Sequence, residues 1–191
     1  VKDQVQPNVT PVSGSNNANS NTTKPQPDFA LDVGQLGGMY AGKIYLVGTE
    51  QGLGVRNAGS INATAAQMTL NANGDLVNTG NIIANKDQIV IRAQNVKNSG
   101  NISSTQHQIH IQSNDIQNKG LVATNDQIKL EALGKINNND GVINAGRIDF
   151  TAQNLSNGNG KIEQTGSQQL NISAKTLDNS QGLIGQASKE S

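Results

Sequence analysis

Few side chains in this sequence have the type and spacing that chemistry requires. His107 and His110 are its two histidines. Three residues apart, they would need further convergent ligands to hold a metal, and as solvated surface residues they need none. Asn73-Gly74-Asp75 has the residue types of a calcium loop, but it occurs once and no nine-residue calcium repeat surrounds it, so it reads as a turn. Sugar cleavage would need paired carboxylates, or a carboxylate with arginine, at catalytic separation. Asp87, Asp115, Asp126, Asp140 and Asp178 are expected mainly in turns or near strand ends and form no consistent column. These residues therefore predict no catalytic, cofactor-binding or metal site.

One polar series is regular. Asn57, Asn78, Asn98, Asn118 and Asn139 each stand two residues before a glycine. Such a series can stack inward as an amide ladder, hydrogen-bonded from layer to layer. It can equally supply turn residues, since Asn tolerates positive φ. Both readings are structural.

The elements that position these residues follow from the glycines. A glycine followed two places on by Ile or Val recurs at Gly59, Gly80, Gly100, Gly120, Gly141, Gly160 and Gly182, with steps of 21, 20, 20, 21, 19 and 22. A period this steady marks a stacked repeat. Within Gly80–Asn118, apolar residues alternate in short bursts: Ile82 and Ala84; Ile89, Ile91 and Ala93; Val96; then Ile102; Ile109 and Ile111; Ile116. Alternation means strands with one buried face. Three short strands per period, separated by Gly, Asn and Asp, predict an all-β fold, a parallel β-helix. The crossover preference predicts right-handed winding. Leucine-rich repeats share the period, but Ile dominates here and no stretch has helical spacing.

The outward positions of the second strand in each period form two columns: Thr69, Val90, His110, Lys129, Asp149 and Asn171, beside Asn71, Arg92, Gln112, Glu131, Thr151 and Ser173. Lys129 beside Asp149 predicts a cross-strand ion pair. Neither column is basic, and no Thr-x-Thr column repeats, which disfavours polyanion and ice binding.

Composition bounds the function classes. The 191 residues carry formal net charge zero, no Cys and 2% aromatics. Neutrality argues against nucleic acid or anionic membrane as partner, and no apolar run reaches the roughly 20 residues that span a bilayer. A core poor in large aromatics suits a narrow coil filled by Ile, Val, Leu and Ala. Asn-x-Ser/Thr triplets at Asn62, Asn101, Asn154 and Asn171 are expected by chance in so Asn-rich a chain.

All four prolines lie within residues 1–27, beside an Asn/Ser/Thr run, so residues 1–28 read as a linker or protruding loop. Order is expected from Phe29, with residues 29–191 forming the β-helix. Gly34–Ala41 and Gly48–Gly54 read as longer connections, Lys161–Gln169 as a bulge or long turn, and Gln186–Ser191 as an uncapped, exposed coil end. The absence of an N-terminal signal peptide suggests a piece of something larger.

The stretch Leu31-Asp32-Val33-Gly34-Gln35-Leu36-Gly37-Gly38-Met39-Tyr40-Ala41-Gly42-Lys43-Ile44, continuing to Gly59, resembles a block of filamentous haemagglutinin-type exoproteins of two-partner secretion systems. That group includes adhesins and CdiA-type contact-dependent growth inhibition effectors. The block, with Leu36, Gly37, Gly38, Met39, Tyr40 and Gly42 as its most specific part, follows their secretion domain and precedes degenerate haemagglutinin repeats. The resemblance implies a secreted or cell-surface bacterial protein, exported through an outer-membrane transporter. It implies a non-enzymatic structural stalk or, alternatively, an adhesive module that binds a glycan or a host-cell protein.

Overall fold

A computed structural model describes residues 28–187. The linker reading of residues 1–27 and the last four residues of the chain lie outside them. Every described element is a strand, and all strand pairs are parallel.

The strands form the three faces of a β-helix of about eight turns. The first face stacks eight strands: β1 (Phe29–Val33), β4 (Gly54–Asn57), β7 (Leu76–Asn78), β10 (Asn95–Asn98), β13 (Asp115–Asn118), β15 (Lys135–Asn137), β17 (Asn154–Ser156) and β20 (Thr176–Asp178). The second stacks β2 (Gly38–Ala41), β5 (Ser60–Ala63), β8 (Asn81–Ala84), β11 (Asn101–Ser104), the first part of β14 (Leu121–Ala132), the first part of β16 (Val142–Thr151), β18 (Lys161–Gln164) and β21 (Leu183–Gln186). The third stacks β3 (Ile44–Val47), β6 (Met68–Asn71), β9 (Ile89–Arg92), β12 (Ile109–Ser113), the later parts of β14 and β16, and β19 (Asn171–Ser173). In β14 and β16 the chain rounds the corner between the second and third faces without losing strand geometry, with one register shift between Thr124 and Gln127.

The pairing register puts like residues on like. Ile61, Ile82, Ile102, Val122, Ile143 and Ile162 form one buried column on the second face. Val55, Leu76, Val96, Ile116, Ile136 and Leu155 do so on the first. The third contributes Leu70, Ile91, Ile111, Leu130 and Phe150, all buried. Because side chains alternate along a strand with period two, a slip of one residue would turn a whole column to water, so burial fixes the register. Toward the C-terminal end burial falls: β20 pairs on one side only among the described strands, and Leu177 is 56% exposed.

Two connections differ from the sequence reading. Gly34–Ala41 is not all connection, for its second half is strand β2, paired residue for residue with β5 from Gly38 against Ser60 to Ala41 against Ala63. Two small residues at Gly37 and Gly38 hide the strand's alternation. Lys161–Gln169 is likewise regular at its start, where β18 pairs with β16, and departs only after Gln164. That side chain is fully buried at a corner filled in other turns by Ala63, Ala84, Ser104, Thr124 or Ala145. In regular turns the first amide of the third strand bonds to the next turn's backbone, as Ile89 N–H does to Gln108 O at 2.9 Å. At Ile148 the N–H instead donates to Gln164 Oε1 at 2.9 Å, while Gln164 Nε2 donates to Gly166 O and Gln168 O. One amide side chain thus replaces the backbone acceptor that the looser segment displaces.

Candidate functional site

The asparagine series and the glycines that follow it form the most regular polar feature. Asn57 Nδ2 donates to Asn78 Oδ1 at 2.8 Å, Asn78 to Asn98 at 2.8 Å, and Asn98 to Asn118 at 2.8 Å. Each Nδ2 also reaches the carbonyl of the residue after the next turn's marker glycine, as Asn98 does to Leu121 O at 3.1 Å. These amides are buried, so the ladder pairs polar groups that water cannot reach.

Beyond Asn118 the ladder leaves the register that the spacing suggests. Asn118 Nδ2 donates to Asn138 Oδ1 at 2.7 Å, not to Asn139, and the series runs on through Asn157 and Asn179. In these turns the Asn stands three residues before the glycine, because the turn has gained a residue: Gly141 N–H bonds to Asn138 O at 3.0 Å, Gly160 to Asn157 and Gly182 to Asn179 at 3.1 Å. The added residue takes left-handed backbone geometry, with φ of 61° at Asp140, 53° at Asn159 and 58° at Gln181. Asn139 is half-buried, and its Oδ1 accepts from Ser156 Oγ at 2.7 Å and Gly158 N–H at 2.6 Å. Counting back from the glycine missed Asn138; the run Asn137-Asn138-Asn139 carried no signal to choose between them.

The marker glycines sit where successive turns press closest. A Cβ on Gly80 would collide with Gly59 O, and one on Gly100 with Gly80 O. Gly120, Gly141, Gly160 and Gly182 each face a carbonyl of the preceding turn in the same way, and Gly59 faces Gly37 O. In the family-like block, Leu36 is fully exposed, Tyr40 is 68% exposed, Met39 packs on the core, Gly38 opens β2, and Gly42 O accepts Ala65 N–H at 3.0 Å and Ala66 N–H at 2.7 Å.

The titratable side chains gather outside the coil. Lys129 does not pair with Asp149; its Nζ lies 2.9 Å from Glu131 Oε1, two residues along the same strand. Glu131 also receives His110 Nε2 at 2.6 Å and Gln112 Nε2 at 2.7 Å on Oε2, and Arg92 Nε donates to Gln112 Oε1 at 2.9 Å. The His110 bond first, then Lys129, lower the Glu131 pKa from an ordinary 4.5 to about 2. His107 is exposed and outside this network. Of the carboxylates expected in turns or near strand ends, Asp115 opens strand β13 and its Oδ1 accepts Lys135 N–H at 2.9 Å, while Asp87, in a turn, accepts Gln88 N–H on Oδ1 at 2.7 Å. Among the described residues no three His, Cys, Asp or Glu side chains converge as a metal site.

Arg92, Gln112 and Glu131 form one wall of a groove of about 1490 Å³ that follows the edge between the third and first faces. Gly48, Ala72, Ala93, Ser113 and Ala132, one from each of five successive turns, also line it, with Ala72, Ala93 and Ala132 packed against the core. Asn73, Gln94, Asn114 and Leu133 form the opposite wall.

Stretches of this sequence are similar to known proteins. The chain is 49% identical over 77 residues to a protein named tRNA nuclease CdiA-2 from Burkholderia pseudomallei, which covers 36% of the chain and 2% of that protein. It is 53% identical over 66 residues to a Toxin CdiA from Yersinia pestis, 35% of the chain and 2% of the relative. Its relatives are CdiA proteins. A tRNA nuclease CdiA from Escherichia coli NC101 is 50% identical over 50 residues, 26% of the chain and again 2% of the relative. The chain thus spans a very small share, about 2%, of the length of the CdiA proteins it matches. No family model matches the chain, and no solved structure matches it. No described helix is long and apolar enough to cross a membrane.

Proposed function

We propose that this chain is a length of β-helical shaft in a CdiA-type exoprotein, a spacer that holds other parts of the protein away from the cell. The observation that carries this reading is the parallel pairing of about eight turns, seven of them joined by one column of amides from Asn57 to Asn179. A stack of this kind turns sequence into reach at about 4.8 Å per turn, and each turn needs only its neighbours. In this reading the parent protein is exported by a two-partner system whose outer-membrane transporter is its partner, and the shaft stands on the cell surface or is released from it.

The test uses the full-length exoprotein with residues 81–120 removed, two turns taken from marker glycine to marker glycine. Export, display and target-cell inhibition are expected to persist, with the shaft shortened by roughly 10 Å. Removing 30 residues from the same point, which breaks the phase of the stack, is expected to abolish display. Loss of inhibition at normal display after the in-phase deletion would overturn the spacer reading.

A further inference from the structure

The triplet Asn73-Gly74-Asp75 holds no ligand in this fold, but its first two residues have a chemistry of their own. Asparagine is among the thermally labile side chains, and it is most labile before glycine. The attacking atom is the backbone nitrogen of the following residue, and glycine puts no Cβ in the way of its approach. The pair occurs three times, at Asn73-Gly74, Asn157-Gly158 and Asn159-Gly160, and the coil treats the three differently.

Asn157 is sealed in the amide column. It is buried, and its Nδ2 donates to Asn179 Oδ1 at 2.7 Å, Gly160 O at 3.1 Å and Leu183 O at 3.1 Å. The nitrogen that would attack it is engaged as well, since Gly158 N–H donates to Asn139 Oδ1 at 2.6 Å. Asn159 is exposed, but its turn is closed by Gly160 N–H, which donates to Asn157 O at 3.1 Å. A nitrogen whose hydrogen is held in a bond gives that bond up before it can attack.

Asn73 has neither protection. It is exposed at the edge between the third and first faces, and Gly74 N–H meets no acceptor among the described residues. Its side chain is held by one bond, from Nδ2 to Thr49 O at 2.8 Å. We propose that Asn73 is a site of spontaneous deamidation in the folded coil. Gly74 N gives its proton to hydroxide and bonds to Asn73 Cγ. The Cγ–Nδ2 bond breaks, and Nδ2 takes a proton from water and leaves as ammonia. Water then opens the cyclic imide at either carbonyl, leaving aspartate or isoaspartate; in sum one water is consumed and one ammonia released.

Both products disturb the turn. Aspartate at this position sets a carboxylate where Thr49 O had a donor, two residues from the carboxylate of Asp75. Isoaspartate adds one carbon to the main chain where there is no space for it. Even a Cβ on Gly74 would collide with Gly52 O and Gly54 N of the preceding turn, while Gly74 O accepts Gln94 N–H at 2.9 Å from the following one. This goes beyond the spacer reading, which does not require it.

The test incubates the 191-residue chain in mildly alkaline buffer, folded and in urea. Peptide mass spectrometry and isoaspartyl methyltransferase labelling follow the three pairs. In the folded chain Asn73 is expected to convert at least about tenfold faster than Asn157 or Asn159, and in urea the three should react at similar rates. Asn73→Gln should abolish the early release of ammonia, and the isoaspartate-bearing fraction of the native chain should melt below the unreacted one. Conversion of Asn157 or Asn159 as fast as Asn73 in the folded chain, no conversion at Asn73, or early ammonia release that persists in the variant would each overturn the proposal. An isoaspartate fraction that melts with the unreacted chain would overturn the account of its product.

Discussion

The two neighbouring asparagines 138 and 139 differ in what they hold. Asn138 accepts from Asn118 and donates to Asn157, Gly141 O and Lys161 O. Asn138→Ala strands several buried groups at once and is expected to cost about 3 kcal/mol. Asn139→Ala loses one acceptor at the surface of a turn and is expected to cost about 1 kcal/mol. Urea denaturation of the two variants checks the order, and equal costs would contradict the ladder as drawn. Glu131 makes a second test. Its pKa falls on folding from 4.5 to about 2, so its ionised form stabilises the fold fully above pH 4.5, and the contribution is lost as pH drops toward 2. The stability difference between the native chain and Glu131→Gln should therefore shrink across that window.

At the scale of the strand and turn, the packing of marker glycines decides whether neighbouring turns can meet. Gly100→Ala places a methyl against Gly80 O and is expected to cost about 3 kcal/mol by overpacking, read as a lowered melting temperature. A neutral outcome would mean the turns sit farther apart than described. The alternation of Ile and Val made the strands legible, since a buried face leaves a period-two trace. β2 was not legible, because Gly37 and Gly38 carry no such trace and its inward residues are only Met39 and the small Ala41. The Lys129 partner was not legible either. Cross-strand neighbours lie nearer along the backbone, but a lysine stem also reaches two residues along its own strand, where Glu131 is already held in place by His110 and Gln112. Gln164 had no signal beyond a large polar residue where other turns have a small one.

For the whole molecule, the period predicted the coil, and the coil in turn explains why the chemistry was faint in the sequence. The groove takes a short stretch, three residues in most cases, from each of six turns, so its lining is spread at intervals of about twenty positions and shows no compact motif. The proposed in-phase deletion probes the stack as a whole and asks whether its length matters.

The amide column has a sense of direction. Each bond of the ladder runs from an Nδ2 to the Oδ1 of the next turn toward the C-terminus, so the dipoles add head to tail and each bond polarises the next. At its start, Asn57 Oδ1 is buried with no donor, because the residue paired with Asn57 one strand earlier is Val33. A column wired this way presents a hydrogen of Asn179 to a further layer on the C-terminal side, whereas on the N-terminal side its lone pair is already covered by the turn that carries Val33. Its two ends are therefore unequal as growing points, as they are in a polar filament.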